Sequence, residues 1–95
     1  MKTKKGTAVL VTTEFRGVFF GLVDDASNLP NEITLTGVRN CIYWHDSVRG
    51  VFGLAASGPS QKCKIGPACE RMTLWKITSV TACSDDAKAK WLAHE

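Results

Sequence analysis

Arg16-Gly17-Val18-Phe19-Phe20-Gly21-Leu22 and Arg49-Gly50-Val51-Phe52-Gly53-Leu54 share Arg-Gly-Val-Phe and then Gly-Leu, the first copy carrying one extra Phe. Reading both copies as the same element decides the fold. In the first, Val18, Phe20 and Leu22 alternate onto one face of a strand, and Phe19 and Val23 onto the other. Apolar residues on both faces imply cover on both sides, in a closed barrel or at a subunit interface.

Upstream, Ala8-Val9-Leu10-Val11-Thr12 is β-branched and apolar, and Thr13 to Gly17 supplies a turn. Downstream, Asp24 to Asn31 is a loop by composition. Asp24-Asp25 lacks the ligand spacing of a calcium loop and reads as a solvated turn. Ile33 and Leu35 then alternate with Thr34 and Thr36, and Gly37 is expected to end that strand. A shift of 33 residues lays Cys41 to His45 over Ala8 to Thr12, and Arg49-Gly50 over Arg16-Gly17. Met72-Thr73-Leu74 echoes Ile33-Thr34-Leu35 at a shift of 39, because a longer loop intervenes. The expectation is an internal duplication, residues 8–38 and 41–80, each half a hairpin, a long connection and a third strand. Ile77 to Cys83 adds a weakly alternating seventh strand.

Ser84 is a helix N-cap, Asp85 and Asp86 suit the positive end of a helix dipole, and Ala87 and Trp91 share a face. A helix is therefore expected over 84–92, anchored by Trp91. The fold class read from these elements is mainly β, a small antiparallel β-barrel or rolled sheet of about six or seven strands with one C-terminal helix.

Ninety-five residues form a single domain with a modest core, and chains this short often gain stability by oligomerising. Residues 1–6 form a basic start, expected to be flexible. The apolar run behind it is shorter than a secretory signal core, and no run is long enough to span a membrane. An intracellular protein with reduced thiols follows as the expectation. Cys41 and Cys83 lie in strand-like runs as buried thiols, and Cys63 and Cys69 lack zinc-ligand spacing. The net charge of +3 is mild, with basic residues scattered among acidic ones, which argues against extended nucleic acid.

Catalysis finds little support. His45 beside Asp46 would point to the opposite side of a strand from it, His94 sits near the end of the chain, and no nucleophile or phosphate-loop motif occurs. The chain is read as a non-enzyme without cofactor or metal. The loop from Ala55 to Ala68 is the better candidate. Ser57, Gly58 and Ser60 offer small donors whose consecutive amides could form an anion nest, with charge from Arg49, Lys62 and Lys64. Tyr43 or Trp44 could stack on a base. The competing reading is a solvated connection whose lysines serve solubility.

Val9 to Val11, Arg16 to Gly21, Ile33-Thr34-Leu35, Cys41-Ile42-Tyr43-Trp44 and above all Arg49 to Pro59 resemble a family of short phage and prophage proteins. Ile65 to Ala68, Met72 to Leu74 and Ala87 to Trp91 fit as well, so the resemblance covers nearly the whole chain. Cys63 and Cys69 depart from the expected pattern. The family carries no established activity. By analogy of size and β-rich character with phage proteins that sequester nucleotide signals of bacterial immunity, the resemblance implies a non-enzymatic binder in the host cell cytoplasm. It would act as a homo-oligomer and capture a phosphate-bearing small molecule. The alternative is a protein–protein inhibitor of a host defence protein, or a virion-associated structural module.

Overall fold

The structure is a computed structural model and describes residues 4–94. Part of the basic start, residues 1–3, lies outside them. Residues 4–6 are tied down: the Gly6 amide donates to the Val23 carbonyl at 2.7 Å and Lys5 pairs with Asp24 at 3.5 Å.

Six strands run antiparallel in one sheet: β1 (Ala8–Thr13), β2 (Gly17–Asp25), β3 (Glu32–Tyr43), β4 (Lys64–Ile65), β5 (Cys69–Trp75) and β6 (Ile77–Ala82). Two helices accompany them, α1 (Gly50–Ala56) and α2 (Asp85–Ala93). β3, β2, β1 and β6 are neighbours in that order. On the other side of β3, its first half pairs with β5 and its last residues with β4. Gly37 does not end β3. It takes a φ of +58 inside the strand, between the Thr36–Arg71 and Val38–Cys69 pairs, and the strand runs on to Tyr43.

The alternation in β2 is real, but its cover differs from the expectation. Val18 and Phe20 point into a core with Ala8, Leu10, Leu54, Ala87 and Trp91, roofed by both helices. Phe19 and Val23 point the other way, into a second core with Val9, Val11, Ile33, Leu35 and Leu74. Helices cover one face and the curl of the sheet covers the other, so neither a closed barrel nor a subunit contact is needed to bury the strand.

The sheet is not closed into a barrel. β5 lies on one side of β3 and β6 lies beyond β1, yet a single residue, Lys76, joins them. Lys76 adopts φ +56, a left-handed corner that sends the chain from one edge of the sheet to the other. The Glu14 amide donates to the Lys76 carbonyl at 3.0 Å, but no ladder joins β5 to β6.

The two Arg-Gly-Val-Phe copies fold differently, which removes the duplication as a structural repeat. The first enters β2 and the second forms α1. Their surroundings decide it. The extra Phe20 gives the first copy apolar residues at 18, 20 and 22, the period of a strand. The second has Val51, Leu54 and Ala55, spaced i, i+3, i+4, and these pack into the core as a helical face. A 3-10 turn, Asp46–Val48, precedes α1, and the chain reverses through Arg49 at φ +64 and Gly50 at φ +75. Cys41 to Tyr43, expected to start the second repeat, is the end of β3.

α2 follows its sequence pattern. The Ser84 side chain accepts from the Ala87 amide at 3.0 Å, and Ala87 and Trp91 are fully buried on one face. Among the described residues no helix is long and apolar enough to cross a membrane.

Candidate functional site

A seven-residue helix leaves most of its carbonyls without intrahelical partners, and α1 has three of them taken by α2. The Trp91 indole donates to the Leu54 carbonyl at 3.1 Å, the Ser84 amide to Ala55 at 2.9 Å, and the Ser84 hydroxyl to Ala56 at 2.5 Å. The Trp91 ring stacks on Phe20, with centroids 5.2 Å apart and planes within 6°. Arg39 of β3 fastens the far end, donating to the carbonyls of Gly66 at 2.9 Å, Trp91 at 2.9 Å and His94 at 2.7 Å. A cation on the last carbonyls of α2 also suits the negative end of that helix.

This docking creates a cavity of about 560 Å³ between α1, the turn that follows it and α2. Arg49, Phe52, Gly53 and Ala56 form its α1 wall at i, i+3, i+4 and i+7, and Ser57, Gly58, Pro59 and Ser60 form the turn. Lys90 closes it from α2. Arg49 and Lys90 are both exposed, and no carboxylate among the described residues lines the space. Two glycines allow the approach. A Cβ on Gly53 would fall 1.4 Å from the Val48 carbonyl oxygen. Gly58, at φ +79, would place one 2.9 Å from Lys90 Cβ and 3.1 Å from the Ala87 backbone.

Of the expected site residues, Arg49, Ser57, Gly58 and Ser60 therefore come together, while the other four do not join them. Tyr43 and Trp44 line a separate, smaller concavity of about 360 Å³ with Cys41 and Ile42. Lys64 sits on β4 opposite Tyr43, and Lys62 is exposed outside both. Two of the amides expected in the anion nest are engaged within the turn: Ser57 and Gly58 both donate to the Gly53 carbonyl, at 2.8 and 3.2 Å. Lys62 donates its amide to the Ser60 hydroxyl at 3.3 Å.

Lys90 and Phe52 were not legible as site residues. Lys90 reads as one more charge on a helix, and only the packing of Gly58 on α2 brings it to the cavity. Phe52 was hidden because its copy, Phe19, is a half-buried strand residue packed against the second core.

The remaining groups are engaged elsewhere. Arg71 of β5 donates to Asp24 from Nε at 3.0 Å and pairs from Nη2 at 2.9 Å. That hydrogen bond, with Lys5 nearby, holds the Asp24 carboxyl below the usual range. Hydrogen bonds from Ser27 do the same for Asp25. His45 accepts from the Ser47 amide at 3.1 Å and caps the turn before α1. His94 is buried, its Nε2 donating to the Ser60 carbonyl at 3.0 Å. Burial pushes the Cys41 and Cys83 thiols up to about 11, with Cys63 adding to the effect on Cys41. Among the described residues no three histidine, cysteine or carboxylate groups gather as metal ligands.

No curated protein and no solved structure matches this chain significantly. A family profile matches residues 6–91, the whole sheet and nearly all of α2. The chain accordingly belongs to the DUF6948 family, a domain of unknown function.

Proposed function

We propose that this protein is a non-enzymatic binder that holds a phosphate-bearing small molecule in the cavity between α1, the 57–60 turn and α2. The observation that carries the reading is the convergence of Arg49 and Lys90, from separate elements, on a concave space without a lining carboxylate. A space of this size suits a small ligand, and two cations in it favour an anion. The reading of holding without turnover draws on both histidines, which are taken up in structural hydrogen bonds.

The finer reading, from the resemblance to phage proteins, is capture of a nucleotide signal of bacterial antiviral immunity by a homo-oligomer in the host cytoplasm. Calorimetric titration with a panel of cyclic and ADP-ribose-type nucleotides tests it. Arg49→Gln is expected to weaken binding about tenfold, as is Lys90→Gln, since a charge-assisted hydrogen bond to phosphate contributes ~1.5–3 kcal/mol. Heat from no member of the panel, with the protein folded, would sink the proposal.

A second reading, a protein–protein inhibitor or structural module, is favoured by the corner at Lys76. There Phe15 is 92% exposed at φ +63, and Trp75 is 65% exposed beside Lys76. A Phe15→Ser, Trp75→Ser double variant that keeps small-ligand binding but loses biological effect would favour this reading.

A further inference from the structure

We infer that the cavity takes purine nucleotides, stacked on Phe52, without telling adenine from guanine. The inference rests on the anion reading of the same cavity and goes on to the other end of the ligand. Phe52 stands on the cavity wall three residues after Arg49, with 81% of its surface exposed. The packing of α1 does not need it: Leu54 and Ala55 are buried and Val51 packs against the same core. Next to Phe52 on the same wall, Gly53 and Ala56 carry no side chain longer than a methyl. A flat ring can therefore lie against the helix with one face on Phe52, while its phosphate reaches Arg49 or Lys90. Aromatic stacking is tolerant of base identity, because every base has a π-face.

Base identity is otherwise read by hydrogen bonds to ring edges, and this wall offers almost none. No amide or carboxylate side chain lines the cavity among the described residues. The hydroxyls of Ser47, Ser57 and Ser60 line the cavity, but a hydroxyl donates and accepts alike and so serves either purine edge. Ring area is what remains to discriminate, so purines exceed pyrimidines and the two purines are alike.

The test is calorimetric titration of AMP, GMP, UMP, ribose 5-phosphate and inorganic phosphate into the wild type, Phe52→Ser and Phe52→Trp. Because Phe52 is exposed, both variants should fold, and circular dichroism checks this. AMP and GMP should bind within about twofold of each other and about fivefold or more tighter than ribose 5-phosphate, with UMP between. Phe52→Ser should bring every nucleotide to the ribose 5-phosphate value, and Phe52→Trp should restore the order with quenched indole fluorescence. Ribose 5-phosphate matching AMP in the wild type, or Phe52→Ser leaving AMP unchanged, overturns the stacking role while the anion reading stands. A clear preference between AMP and GMP overturns the edge-blind part. Binding of none of the five overturns both readings together.

Discussion

Gly58 carries two demands at once, a left-handed backbone and a side-chain-free approach to Ala87 and Lys90. Gly58→Ala meets neither, and should lower stability by about 1–3 kcal/mol, read as a lower urea midpoint at unchanged m. It should also weaken ligand binding, because the turn and α2 can no longer close on each other. The thiols give a second expectation. Cys41 and Cys83 are raised in the folded chain to about 11 from an ordinary 9.0, so folding favours their protonated form. Their contribution is complete below pH 9 and is lost as the pH rises through the folded value of about 11. The urea midpoint should therefore fall between pH 9 and 11, and the Cys41→Ala, Cys83→Ala double variant should flatten that fall. Exposed Cys69 should be alkylated at pH 8 well before the other three thiols.

At the scale of elements, α2 holds α1 by its carbonyls, so each helix depends on the other. Trp91→Phe keeps an aromatic ring against Phe20 but removes the indole donor, leaving the Leu54 carbonyl buried without it. The expected cost is about 2 kcal/mol in chemical denaturation, with ligand binding weakened as well, since Lys90 rides on the same helix. This helix was readable from one cap and one i, i+4 pair, because Ser84 and Trp91 act through local spacing. β2 was readable because its alternation is local too. α1 was not, although Val51, Leu54 and Ala55 spell a helical period: the identity of four residues with a strand outweighed the period of six. The cavity was half legible. Arg49, Ser57, Gly58 and Ser60 lie close in sequence, whereas Lys90 joins them only through tertiary packing. Tyr43, the last residue of β3, and Trp44 just after it are carried by that strand to the neighbouring concavity instead.

For the whole molecule, the open sheet turns on one residue. Lys76 holds a left-handed conformation that costs a side-chain-bearing residue about 1–2 kcal/mol, and glycine would relieve it at some expense in unfolded-chain entropy. Lys76→Gly should therefore gain up to about 1 kcal/mol, and Lys76→Val should lose stability by a similar amount or more, both measurable from the thermal midpoint. The register of β1 has a consequence in time as well as in energy. Its residue Val9 pairs on one side with Gly21 and on the other with Ala82. On a ribosome, the first partner follows Val9 within about 0.6–2.4 s and the second only after roughly 4–15 s, at ~5–20 residues per second. Between those times β1 is paired with β2 alone, and its other edge waits for β6. An unpaired strand edge is a template for another chain, so in that interval one nascent chain can pair with the next.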